Sequence, residues 1–411
     1  MNPTPMSAPP PGGLTASALI TDNPSEPVKP AVVSLHPITF TGSGSEYFRI
    51  WIVNLLLLLV TFGLYYPWAK VRKLRYFHGN TIVAGYPLDF HGNPRQMLRG
   101  FLLVSLLMVL YSVAGRVSAT AGSIAGLILG LLWPALLRAS LQFRLANTSW
   151  RGLRFSFTGP LKGAYMVYLT PMLAMGGIAA LGGLAFAILP KSLGFAAPFV
   201  MGLVILLGMA AMVPYVWWRF KQYQHSHYAL GQLQTQFKAG YKDVLGVFLR
   251  TGLIGVLGLV AGLGCMILLL VLGAIDMPNR GDRQGMAQVM TNLVPVFFGV
   301  MLLAQLAQWP YFTSRMQNLV WTQTGNRQVR FKSNLRLLPL IGLTVKNWML
   351  VILTLGLYWP FAAVALARIK LEAIVVHTRQ DPDLLVAQAQ HQNQDAAGDL
   401  AADLIGIDIG L

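Results

Sequence analysis

The sixteen residues NLLLLLVTFGLYYPWA, 54 to 69, decide how this chain is read, because they return near its other end as NWMLVILTLGLYWPFA, 347 to 362, with eight identities and no gap. Each copy opens on an Asn, runs through an apolar stretch and closes on Tyr, an aromatic-flanked Pro and Ala. Tyr and Trp settle where acyl chain meets headgroup, and Pro interrupts a helix by removing a backbone donor. The stretch therefore reads as a helix leaving a bilayer.

Composition agrees. A chain of 411 residues that is 55% hydrophobic and 11% charged has more apolar surface than one soluble core can hide. Its formal charge of +17 raises nucleic acid as a partner, but Lys and Arg stand in short clusters between long uncharged stretches. That placement is the positive-inside signature and excludes nucleic acid; the partners it implies are membrane lipids, with any protein partner unspecified. About eight stretches have spanning length: 50–69, 100–115, 117–137, 164–190, 192–218, 251–275, 284–309 and 347–367. The second is short and the first and last contain Pro, so seven or nine crossings stay open. The loops after the odd-numbered spans one to seven carry 6, 5, 5 and 6 Lys or Arg, against 1, 1 and 2 after spans two, four and six. With the basic loops cytoplasmic, eight crossings put both termini outside.

Three segments follow. Residues 1–37 are Pro-rich with no apolar core of signal-peptide length, and read as a disordered tail. Residues 38–379 form the transmembrane domain, and 380–411 an acidic tail with six Asp and no Lys or Arg.

The doubled phrase has weaker echoes. Pro beside an aromatic recurs at Pro67, Pro134, Pro214, Pro310 and Pro360, each near the end of an apolar stretch. Phe90, Phe157 and Phe237 fall 23 residues after Pro67, Pro134 and Pro214, Phe331 falls 21 after Pro310, and Phe40 heads a fifth such turn. Five internal repeat units result, so the expected fold is an all-α polytopic membrane protein of about eight helices in five units. KVRKLRYF (70–77) and RFKQYQHSHY (219–228) alternate cations and aromatics as interfacial helices do. TIVAGYPLDF (81–90) and TQTGNRQVRF (322–331) are β-prone around a Gly and predict a small cytoplasmic sheet. One conflict remains: the repeat places Phe40 in the cytoplasm, whereas one crossing between Phe40 and Pro67 places it outside. A re-entrant hairpin broken around Gly63 and Gly356 reconciles them.

At these residues a family comes into view. The run from Phe40 to Thr81, its echo LTLGLYWPF and the close DLIGIDIGL resemble the YjgN family of bacterial inner-membrane proteins over roughly residues 38–411. The resemblance implies an inner-membrane, multi-pass protein of unknown function, with no activity, cofactor or catalytic residue to carry over.

Candidate chemistry rests on the residues alone. His225 and His227, with His78 and His91, raise a shared metal site, but no Cys or carboxylate joins them at ligand spacing, and amphipathic filling is the plainer reading. The single Cys265, inside the sixth span, reads as structural. No cofactor, metal or catalytic group is assigned, and the chain is read as a non-enzyme. Asn54 with Asn347, Thr61 with Thr354, and Gln305 with Gln308 read first as interhelical hydrogen-bonding groups. Gly122, Gly126 and Gly130, and Gly258 and Gly262, have the spacing that lets helices approach closely. The most site-like set is cationic: Arg72, Arg75, Arg138, Arg219 and Arg315, beside the aromatic-Pro motifs, form an anion or lipid-headgroup candidate beside the simpler reading of topology signals. Functionally this leaves a pore, carrier or lipid-handling protein for a neutral or anionic small solute, or a non-enzymatic scaffold.

Overall fold

The computed structural model describes residues 34–188, 196–275, 282–379 and 381–387 apart from 385. Residues 1–33, and the part of the acidic tail after 387, lie outside the described residues.

The chain alternates helix pairs with short strands. It runs β1 (Ser34–Pro37), β2 (Thr39–Phe40), α1 (Gly44–Val60), α2 (Tyr66–Gly79), β3 (Thr81–Val83), β4 (Tyr86–Phe90), α3 (Pro94–Val117) and α4 (Ala119–Ala146). Then come β5 (Thr148–Trp150), β6 (Leu153–Phe157), α5 (Leu161–Ile188), α6 (Ala196–His225), β7 (Tyr228–Leu230), β8 (Leu233–Gln234) and β9 (Gln236–Phe237). Last are α7 (Tyr241–Val271), α8 (Arg283–Thr322), β10 (Thr324–Gly325), β11 (Val329–Ser333), α9 (Leu337–Leu353), α10 (Trp359–Glu372) and β12 (Ile374–Thr378).

Side-chain caps set several helix starts. Ser43, Asn93, Ser118 and Asp282 each accept a backbone N–H from the first turn of α1, α3, α4 and α8, satisfying donors that a helix start leaves free. Among the described residues six helices, α3 to α8, are long and apolar enough to cross a membrane. The first and last of the eight apolar stretches are not among them. Those two stretches lie in α1 and α9, 17 residues each, which turn straight back into α2 and α10.

The turn explains the doubled phrase. Thr61 Oγ1 donates to Leu57 O at 2.7 Å and accepts from Tyr65 N at 3.0 Å. Thr354 repeats this with Leu350 O at 2.6 Å and Tyr358 N at 2.9 Å. Between them Phe62 and Gly63 (φ 49° and 87°), and Leu355 and Gly356 (φ 50° and 94°), take left-handed conformations that reverse the chain. Pro67 and Pro360 then sit in the first turn of α2 and α10, where their missing N–H costs nothing. In α4, α6 and α8, by contrast, Pro134, Pro214 and Pro310 lie inside continuous helices. The motif therefore does not end a helix. RFKQYQH, read as an interfacial helix, is the last part of α6, and KVRKLRYF lies within α2.

The strands make more than the small sheet expected. Two antiparallel arrays have the orders β1-β12-β11-β10-β9 and β2-β3-β4-β5-β6-β7-β8. They meet where β1 continues into β2 through Ile38, whose N–H still reaches Ile374 O at 3.1 Å, and where β8 continues into β9 through Thr235, whose N–H reaches Tyr228 O at 2.8 Å. Counted this way the strands form a closed ring. The helices close too: α2 packs on α3, α4 on α5, α6 on α7, α8 on α9 and α10 on α1.

Ring closure corrects the expected topology. Ser34 pairs with Thr378, and Thr39 with Ile82, so both described chain ends share the ring with the basic loops. The count placed them outside because it took each apolar stretch for a crossing, whereas the first and last reverse within it. The predicted tail also ends earlier: residues 34–37 are β1.

Candidate functional site

Where each outbound helix (α2, α4, α6, α8, α10) meets the ring, one backbone contact recurs. The N–H groups of Thr41, His91, Thr158, Lys238 and Asn334 donate to the carbonyls of Asn80, Asn147, His227, Gln323 and Ala373, at 2.8 to 3.1 Å. Each acceptor stands thirteen residues after its aromatic-flanked Pro. Pro67, Pro134, Pro214, Pro310 and Pro360 are all buried.

This geometry corrects one marker. The buried strand-end residue before Asn334 is Ser333, 23 residues after Pro310, and not Phe331 at 21. In the other strands Phe40, Phe90 and Phe157 fold their rings over the Gly two residues on, leaving a Cβ at Gly42, Gly92 or Gly159 only 2.4 to 2.8 Å from a ring carbon. Ser333 has no ring, and Leu335, 3% exposed, stands where those glycines stand. Large and small have changed places, which hides the register from a search for Phe.

The carbonyls at these positions receive one more side chain each. Arg75 Nη2 donates to Gly92 O at 3.4 Å, Arg138 Nε to Gly159 O at 2.8 Å and Arg368 Nη2 to Gly42 O at 2.8 Å. Trp218 Nε1 reaches Ala239 O at 2.9 Å and Asn318 Nδ2 reaches Leu335 O at 3.1 Å. Every donor comes from one outbound helix and every acceptor opens the next inbound helix, so these bonds tie neighbouring pairs together, with Arg368 tying the last to the first.

Of the predicted cations, Arg75 and Arg138 belong to this set. Arg72 stacks over Tyr65 at 5.7 Å, Arg219 over Trp218 at 5.8 Å with Nη1 on Gln222 Oε1 at 3.1 Å, and Arg315 over Tyr311 at 5.6 Å. These contacts are local to each helix; none joins one of the five arginines to another. Sequence reasoning missed Arg368, Trp218 and Asn318. Their signal was present: the five donors stand either four or eight residues after the Pro, one helical turn apart on one face. Replacing Arg368 with Gln removes a charge-assisted bond that closes the ring. We expect a loss of about 1 to 2 kcal/mol in reversible unfolding, while Arg379→Gln stays within about 0.5.

The four histidines do not converge. His78 Nδ1 lies 2.7 Å from Leu74 O, His227 Nδ1 2.7 Å from Tyr223 O, His91 Nε2 2.7 Å from Ser149 Oγ and His225 Nδ1 3.1 Å from Thr324 Oγ1. Burial lowers the His78 pKa, partly opposed by the Leu74 carbonyl, and so favours neutral imidazole. Burial likewise raises the Tyr228 phenol and lowers Lys370, which sits 5.3 Å over the Trp309 ring. Among the described residues, no three His, Cys, Asp or Glu group as metal ligands.

The ring's rim is basic on one side. A cleft of about 620 Å³ between the β8–β9 and β10–β11 turns is lined by Lys238, Arg327 and Arg330 among Gln and Asn. A second of about 170 Å³ shares Arg327 and Arg330 and adds His377 and Arg379.

The chain is 28% identical to the inner membrane protein YjgN of Salmonella typhimurium (strain LT2) over 142 residues, 34% of this chain and 36% of that protein. It is 28% identical to the inner membrane protein YjgN of Escherichia coli (strain K12) over 187 residues, 44% of this chain and 46% of that protein. The chain thus matches less than half the length of these curated relatives. No solved structure matches. Six apolar helices of spanning length and these relatives make this a multi-pass protein of the bacterial inner membrane. The family described as bacterial protein of unknown function (DUF898) matches across residues 35–404, taking in α1 to α10, and the chain belongs to it.

Proposed function

We propose that the protein handles lipid: five units of one internal repeat close into a ring whose apolar inner wall admits acyl chains between leaflets. A unit is an inbound strand, two helices and an outbound strand. Its support is the recurring carbonyl contact thirteen residues after each Pro. Three units cross fully; the first and last are re-entrant. From a common start four residues after the strand end, α1 and α9 rise about 26 Å, against about 36 to 46 Å for α3, α5 and α7. Since α1 packs on α10, the two short hairpins are neighbours, leaving a lateral opening in the outer leaflet.

One observation carries the reading. Residues 100–115, 119–137, 163–188, 196–218, 251–271 and 284–314 contain no Asp, Glu, Lys or Arg, while at most 11% of any spanning helix's apolar window is buried. Apolar wall that protein does not cover must be covered by acyl chains, and an ion finds no charged partner along it. Arg72, Arg219 and Arg315, with Arg75 and Arg138 beside them, would meet headgroups at the cytoplasmic interface.

The test uses vesicles of phosphatidylethanolamine and phosphatidylglycerol carrying fluorescent phosphatidylglycerol in both leaflets. External dithionite bleaches only the outer half of the label in protein-free vesicles. With the purified protein inserted, bleaching should run towards completion. Bleaching that stops at half in vesicles shown to hold folded protein overturns the proposal in favour of a non-enzymatic scaffold.

A further inference from the structure

The segment that follows β12 does not leave along its own side of the ring. Asp383 forms an ion pair with Arg151, and Val386, 6% exposed, packs with Leu153, with Trp150 and Leu230 beside them. Arg151 and Leu153 belong to the β5–β6 hairpin, and Leu230 to β7.

The strand order locates these contacts. Taking β1 with β2 and β8 with β9 as continuous strands, the ring has ten members, and β6 is five strands from β12 counted in either direction. Ten strands at a spacing of about 4.8 Å enclose a ring roughly 15 Å across. Four residues lie between Thr378, the end of β12, and Asp383, and the chain is helical from Pro382, so the backbone before the helix reaches at most about 14 Å. The side chains of Asp383 and Arg151, which form the ion pair, complete the span.

We propose that the strand-side mouth of the ring is a docking surface for the chain's own C-terminal segment, through Asp381–Leu384 and Val386, which crosses the mouth as a strap. The surface is built for an acidic, apolar peptide. The Arg151 guanidinium lies 4.2 Å from the Tyr86 ring and 5.7 Å from Trp150, so aromatics hold its position. Trp150 is itself fixed by Nε1 donating to Val83 O at 3.0 Å. Beside this cation Leu153, 4% exposed, and Leu230 form the apolar seat for Val386. Arg151 holds φ at 51° in the hairpin turn, as Ala84 holds φ at 48° in the β3–β4 turn, so the turn itself sets the position of its Cα. The strap governs access to the mouth whatever the ring conducts.

Two measurements test it on full-length protein in inverted vesicles, in a Cys265→Ser background. Leu153→Cys with Val386→Cys should give a disulfide-linked peptide by mass spectrometry on mild oxidation. Leu153→Cys alone should react with an impermeant maleimide about tenfold faster when Val386→Asp is added or the chain stops after Arg379. Lys242→Cys, on α7 away from the seat, should keep its rate in all chains and so reports an intact fold. No linked peptide between two thiols that each react singly, or one labelling rate with and without the segment, overturns the proposal.

Discussion

In a Cys265→Ser chain, a cysteine at Thr39 will react with a membrane-impermeant thiol reagent only from the side that also exposes Arg327→Cys, while Thr120→Cys reacts only from the opposite side. The effect is all-or-none because a bilayer separates the two populations. Its basis is covalent and hydrogen-bonded continuity: Thr39 pairs with Ile82 across α1 and α2, so the chain must return to the side it left. Glu46 and Arg49 occupy the first turns of α1, leaving Ile50–Val60 as its apolar part, about 17 Å long, against a hydrocarbon core of about 30 Å. A helix that short is expected to turn back before the far leaflet. Labelling of Thr39→Cys from the Thr120 side means that α1 crosses once, and the strand ring cannot then be closed.

The second large effect is expected at the contact between α7 and α8. A Cβ added at Gly258 lies 2.4 Å from Ala304 Cβ, and one at Gly262 lies 3.0 Å from Phe297 Cδ2. Without a hydrophobic drive between helices inside lipid, such close contact is what holds the pair. Gly258→Ala should therefore cost about 1 to 3 kcal/mol by forcing the backbones apart. Gly264→Ala, on the same helix with nothing within 4 Å, should be neutral or stabilising by up to about 1 kcal/mol from helix propensity. Thermal or denaturant unfolding in a fixed detergent compares the two. Equal stabilities overturn the interlock.

These glycines were legible from their four-residue spacing, and so were Gly122, whose added Cβ would lie 2.9 Å from Gly115 Cα, and Gly126, 3.3 Å from Tyr111. Gly130 meets nothing, since spacing gives the face of a helix and not its neighbour. Asn54 and Asn347 were read as hydrogen-bonding groups. Both are buried, and Asn347 Nδ2 approaches Ala362 O at 3.5 Å, yet the Oδ1 of each has no partner among the described residues. The arginines beside the aromatic-Pro motifs were visible as a set, but the acceptors of Arg75 and Arg138 were not, because each carbonyl belongs to the next helix pair. Arg368 was passed over because its acceptor, Gly42, is 326 residues away.

Sequence by itself determined what depends on local chemistry and on counting: a multi-pass membrane chain, its basic side, the positions of its apolar helices and the likeness of its two ends. It held the turn-back as one of two readings of Thr-x-Gly-Leu-Tyr, since a left-handed turn and a kink within one crossing helix use the same residues. Tertiary structure decided between them by pairing β2 with β3. It also decided the closure of the ring, where β1 and β12 form from the two ends of the chain the pair that β3–β4 and β5–β6 form through tight turns. That pairing has no local signal: its energy comes from strands brought together by everything between them, and only the folded chain carries it.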